Sequence, residues 1–150
     1  MTQTNTVHAL LIEDSDDDAE MIRRLATDSG LNVHLTCIAN GETAIEYLTA
    51  GATRDAATGA PQVVLLDLSL PKADGIEVLR RIKSYPELAD IPVIILSGSE
   101  NEEDIRQGQD LKAHTHIVKP MTLKEFSWII RSIENYWLRL ARVRALDATS

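Results

Sequence analysis

With a single cysteine, Cys37, in its 150 residues, the chain can form no internal disulfide, and its fold must rest on packing. Nor does any apolar stretch approach the roughly 20 residues that cross a bilayer. Residues 1–6 are polar, with neither the basic start nor the apolar segment of a secretory leader. A soluble, cytoplasmic protein is the expectation, with no membrane partner. Basic residues are scarce: 15 Lys and Arg stand against 23 Asp and Glu, a formal charge of −8. Nucleic acid is therefore not expected as a partner, because phosphate backbones draw proteins in through Lys and Arg. A P-loop or comparable Gly-rich phosphate cradle is also missing, which argues against a nucleotide or flavin site. What is present is a chain 44% hydrophobic, enough for one domain that buries roughly two-thirds of its unfolded surface.

Apolar runs of strand length occur at 8–12, 33–39, 63–68, 92–96 and 115–118. Several are apolar throughout, as strands covered on both faces are. Segments of helical period lie between them, each with a start signal. Ser15 stands three before Asp18, Asp74 three before Glu77, Ser99 three before Glu102 and Thr122 three before Glu125, close to the capping-box pattern; Asn40 is a plain N-cap. Five strands alternating with five helices predict a parallel sheet with right-handed crossovers and helices on both faces. The expected fold is α/β, a flavodoxin-like (βα)5 doubly wound five-stranded sheet of order 2-1-3-4-5, occupying 7–146 as one domain with flexible termini at 1–6 and 147–150. The stretch 49–61, rich in Ala, Gly and Thr, is longer than the usual connection and reads as a mobile loop remote from the carboxyl edge. The last helix is extended, running from Thr122 to about Leu146, roughly 37 Å at the α-helical rise. Leu123, Phe126, Ile130, Ile133, Trp137 and Leu140 make a stripe along it. Beyond Tyr136 little core should remain to cover, so Trp137, Leu138 and Leu140 point to an interface, most simply a two-fold dimer.

Four of the apolar runs end on polar groups. Glu13-Asp14 closes the first, Asp67 the third, Ser97 the fourth and Lys119-Pro120 the fifth. In an open parallel sheet these ends share one edge, so three carboxylates, a hydroxyl and a lysine would meet in one pocket. Clustered carboxylates repel unless a divalent cation neutralises them, and octahedral oxygen coordination suits magnesium (Mg2+). A carboxylate can also act as nucleophile and form an acyl phosphate, with a lysine and a hydroxyl to hold the phosphoryl oxygens. Asp16, Asp17 and Asp18 read as the first turn of a helix.

These motifs, Leu-Ile-Glu13-Asp14, Leu-Leu-Asp67-Leu-Ser-Leu-Pro71-Lys-Ala-Asp74-Gly75, Ile-Leu-Ser97-Gly98 and Val-Lys119-Pro120, resemble in order and spacing the receiver domains of two-component response regulators. The resemblance covers about 7–136. It implies that Asp67 is the phosphoacceptor, that Asp14 and Asp67 ligate Mg2+ directly, that Glu13 acts through a bound water, and that the Ser69 backbone carbonyl is a further ligand. Lys119 and Ser97 would hold phosphoryl oxygens, with Ser97 a switch residue, and the Lys119-Pro120 bond is often cis in such domains. Pro71 and Gly75 would shape the loop after Asp67. His116 stands where the family commonly has an aromatic switch residue, usually Tyr or Phe; here the chain departs, and an imidazole could make the switch sensitive to pH. His114 and His116 share a strand face but lack a third metal ligand, and His8 and His34 read as ordinary strand residues.

The resemblance further implies a signalling phosphoacceptor rather than an enzyme, one that promotes its own phosphorylation and dephosphorylation. Its partners would be a sensor histidine kinase and a downstream protein or phosphotransfer partner, reached through the face of the fourth helix, fifth strand and fifth helix. No output domain is expected after the last helix. The long connection before the third strand and the ending Ile133-Glu-Asn-Tyr136-Trp137-Leu138 are similar to stand-alone regulators paired with phytochrome-type kinases, a subgroup in which homodimers are expected. Two other readings compete. A small-substrate phosphatase would carry a second acid two residues after the nucleophile, where Ser69 stands. A constitutive, phosphorylation-independent binding module would have no need of Asp14, Asp67, Ser97 and Lys119 together.

Overall fold

The computed structural model describes residues 6–50, 60–68, 70, 75–98, 106 and 109–149. In chain order it contains β1 (Val7–Ile12), α1 (Asp16–Asp28), β2 (Val33–Ile38), α2 (Gly41–Thr49), β3 (Val63–Asp67), α3 (Gly75–Ser84), a 3-10 turn (Pro86–Leu88), β4 (Val93–Ser97), β5 (Thr115–Val118) and a C-terminal helix (Leu123–Thr149). The strands pair in parallel in the order β2-β1-β3-β4-β5, the flavodoxin-like order that the β-α alternation predicts. The helix expected to open at Ser99 with Glu102, most of the 49–61 connection, and Ser69, Pro71 and Asp74 lie outside the described residues.

Local chemistry starts α1, α2 and the C-terminal helix where the sequence places their starts. The Ser15 hydroxyl accepts from the Asp18 N–H at 3.2 Å, and Asn40 Oδ1 accepts from the Glu42 and Thr43 N–H groups at 2.7 and 3.2 Å. At the last helix the capping box is complete: Thr122 Oγ1 accepts from the Glu125 N–H at 3.1 Å, and Glu125 Oε1 accepts from the Thr122 N–H at 2.9 Å.

Side chains that alternate along each strand fill two apolar layers. Leu10, Ile12, Val64, Leu66 and Ile95 face α2 and α3, while Ala9, Leu11, Leu65, Leu96 and Ile117 face α1 and the C-terminal helix. Covering both faces keeps the central strands dry and leaves their ends to meet solvent.

The C-terminal helix buries Phe126, Ile129, Ile130 and Ile133 in the second layer. Further along, the structure corrects the expectation that core contact is spent beyond Tyr136. Trp137 is half-buried, packs against both layers, and donates its indole N–H to the Gln62 carbonyl at 2.8 Å. Tyr136 donates its hydroxyl to the Asp90 carbonyl at 2.8 Å, and Arg144 pairs with the Asp90 carboxylate at 2.5 Å. These contacts pin the helix to the amino edge of the sheet, the edge away from the polar strand ends. Outward from there Leu138, Val143 and Leu146 are exposed, and the helix runs past the expected end at Leu146 to Thr149.

Candidate functional site

Backbone pairing sets the site before any side chain does. The Glu13 N–H donates to the Ile38 carbonyl at 3.1 Å, which fixes the acidic pair as the continuation of β1. The Leu68 N–H donates to the Leu96 carbonyl at 3.0 Å, and the Lys119 N–H to the Ser97 carbonyl at 2.7 Å. Asp67, Ser97 and Lys119 thus stand on three neighbouring strand ends held in register. Gly75 lies beneath this edge, where a Cβ would sit 2.5 Å from the Leu68 Cα and 2.8 Å from the Asp67 carbonyl oxygen. Only glycine lets α3 approach so closely.

The side chains converge on that frame. Carboxylate oxygens of Glu13, Asp14 and Asp67 lie within 4.8 Å of one another, with Glu13 and Asp67 buried and Asp14 exposed. Lys119 Nζ reaches in to Glu13 Oε2 at 2.8 Å, Asp18 Oδ2 at 3.0 Å and Asp67 Oδ2 at 3.3 Å. The second oxygen of Glu13, Oε1, accepts from the Ser15 N–H at 3.2 Å. Ser97 is buried at the end of β4, and the Lys119-Pro120 bond is cis. Ser69, the further ligand that the resemblance implies, lies outside the described residues.

Among the described residues, the carboxyl groups of Glu13, Asp14, Asp18 and Asp67 gather about one ammonium. Burial pushes the Glu13 carboxyl up to about 7; the Lys119 hydrogen bond opposes this, and the neighbouring Asp67 adds to it. Burial pulls the Lys119 ammonium down, yet the bonds to Glu13 and Asp18 and the charge of Asp67 outweigh it and hold the lysine above its ordinary value. Lys119 is therefore a fixed cation, and the acids retain surplus negative charge. An all-oxygen donor set of this charge fits a hard divalent cation, and Glu13, Asp14 and Asp67 are the residues that would hold it.

Asp18 is the member that sequence reasoning does not place here. It is the third residue of α1, where a side chain turns back toward the helix start, and that geometry carries its carboxylate to the sheet edge. Beside Lys119 and Asp18 opens a cavity of about 300 Å³, whose remaining walls include Met21, Ile22, Leu96 and Met121.

His116 of β5 and His114 just before the strand stand apart from this cluster. His116 is in register with Ile95 and so faces the α2 and α3 layer; its Nε2 is buried with no hydrogen-bond partner among the described residues. His114 is exposed and meets the Tyr136 ring edge-on at 6.5 Å.

Comparison with known proteins agrees with this architecture. A family model described as the response regulator receiver domain matches residues 9–131. Response regulator Rcp1 of Synechocystis sp. is 33% identical over 136 residues, 91% of this chain and 92% of that protein. A crystal structure of the phosphorylated cyanobacterial phytochrome response regulator RcpA superposes with a TM-score of 0.72 at 37% identity, covering 89% of this chain and 95% of that one. The Mn2+-bound form of Rcp1 superposes with a TM-score of 0.69 at 33% identity, covering 88% and 94%.

Proposed function

The chain belongs to the response regulator receiver family and is similar to phytochrome response regulators, and on that premise we propose that it accepts a phosphoryl group on Asp67 from a histidine kinase of phytochrome type. The observation that carries the proposal is the convergence of Glu13, Asp14, Asp67 and Lys119 within hydrogen-bonding and ligand distance at one sheet edge. In the transfer an Asp67 oxygen attacks the phosphorus of the donor. The donor's P–N bond breaks, its electron pair returns to the imidazole, and an acyl phosphate forms on Asp67. Mg2+, when bound, supplies the charge that lets an anionic phosphoryl group approach three carboxylates. Lys119 binds one phosphoryl oxygen as a point charge, and Ser97 donates to another. Hydrolysis reverses the gain: water attacks phosphorus and the Asp67 carboxylate departs. The protein thereby promotes its own modification and reversal without turning over a separate substrate.

Output follows from charge. A phosphoryl group brings about −1.5 to −2 charges and three acceptor oxygens. Ser97 moves toward them, and His116, whose Nε2 has no partner among the described residues, repacks with the changed face. This is a population shift between two packings. The responding face, β5 with the helices flanking it, meets a downstream protein or phosphotransfer partner in a cytoplasmic homodimer. The domain behaves as one unit over 7–146, and the Ser69 backbone carbonyl would be a further ligand to the metal.

Intact mass after incubation with acetyl phosphate tests the proposal. A single phosphoryl adduct that requires Mg2+ and is lost in Asp67→Asn is expected. No adduct in the wild type favours the constitutive binding module.

A further inference from the structure

Resting on the reading of Asp67 as phosphoacceptor, we propose that Asp18 is a positioning residue that tethers Lys119 and sets how readily its ammonium passes between the acids and an incoming anion. The geometry is direct. Lys119 Nζ lies 3.0 Å from Asp18 Oδ2 and 3.3 Å from Asp67 Oδ2, so Asp18 holds the ammonium at least as closely as the phosphoacceptor does. Asp18 differs from the other partners in kind. Glu13 and Asp67 are the buried acids of the cation cluster, whereas the Asp18 side chain is 41% exposed and stands outside that cluster. A cation on Glu13, Asp14 and Asp67 draws on the oxygens that Lys119 now shares, and Asp18 is the partner left to the lysine. The cavity of about 300 Å³ lined by both Lys119 and Asp18 gives the ammonium room to swing between them.

Two consequences of opposite sign follow. Without the tether, Lys119 settles wholly on Glu13 and Asp67, competes with the metal for their oxygens, and weakens Mg2+ binding. Once Asp67 carries a phosphoryl group, the same untethered ammonium moves to the phosphoryl oxygens without giving up an ion pair, and the adduct lives longer. For a partly exposed pair each effect should be about two- to fivefold. General damage to the fold would lower both quantities together.

The test compares wild type, Asp18→Asn, Asp18→Glu and Lys119→Gln with and without Asp18→Asn, by Mg2+ titration calorimetry and by the adduct half-life after acetyl phosphate is removed. Asp18→Asn should weaken Mg2+ binding and lengthen the half-life, Asp18→Glu should restore both, and in the Lys119→Gln background Asp18→Asn should leave the Mg2+ affinity unchanged. An equal loss of Mg2+ affinity in both backgrounds would show Asp18 acting as a bare charge and overturn the proposal, as would an unchanged affinity in the single variant. A wild type that binds Mg2+ but takes no label defeats the phosphoacceptor reading instead, and the Mg2+ cycle still decides the tether.

Discussion

Gly75 and Lys119 show how much of the site hangs on single residues. Gly75→Ala would push a methyl group against backbone atoms of Leu68 and Asp67 that cannot swing aside. We expect it to cost about 1–3 kcal/mol, the usual range for overpacking, and to lower acetyl-phosphate labelling along with the melting temperature. A variant of wild-type stability would contradict the close approach. Lys119→Gln removes the ammonium bonded to Glu13, Asp18 and Asp67. Labelling should fall severalfold at saturating Mg2+ while circular dichroism stays native; undiminished labelling would remove Lys119 from the phosphoryl site. At this scale the sequence was legible where a residue ends a strand, because strand ends share one edge whatever the detail. Asp18 was not, since its role depends on which way a side chain in the first helical turn points, and its neighbours Asp16 and Asp17 offer the same chemistry in sequence.

Among the elements, the C-terminal helix departs furthest from what its sequence predicts. The period of its stripe was plain, and Phe126, Ile130 and Ile133 fill the second layer accordingly. Hydrophobic spacing alone does not say where the sheet ends beneath a helix, so the docking of Trp137 on Gln62 at the amino edge could not be read in advance. Trp137→Phe keeps most of the apolar contact and deletes the indole hydrogen bond, and should cost about 1 kcal/mol in urea unfolding. Trp137→Ala, in a half-buried position, should cost about 2–3 kcal/mol. Equal, negligible effects would return this residue to the exposed interface first expected of it. Caps were the easiest features to read, because a side-chain oxygen and an N–H two or three residues on are local. Asn40→Ala, which strands the Glu42 and Thr43 N–H groups, should cost about 1 kcal/mol.

For the whole molecule the layers and strand order follow from the alternation of strand and helix, which leaves a parallel sheet few topologies. The proposed dimer is a separate matter: Leu138, at 51% exposure, keeps part of the apolar surface expected beyond Tyr136, and Trp128, at 56%, adds to it on the C-terminal helix. Light scattering at micromolar protein should give a mass near twice 16.6 kDa, with Trp128→Lys shifting it toward one copy; a monomer in both would remove the dimer from the account. Charge also acts at this scale, since Mg2+ that binds only the folded chain must stabilise it. Melting temperature should therefore rise with Mg2+ in the wild type and respond weakly in Asp14→Asn. The most direct test of the central claim locates the modified side chain. Borohydride reduces an acyl phosphate to the alcohol, so labelled protein treated in this way and digested should carry homoserine at position 67, only when Mg2+ was present. Homoserine at Asp14 or another aspartate, the one-carbon-longer alcohol at a glutamate, or no reduced residue at all would contradict Asp67 as the phosphoacceptor.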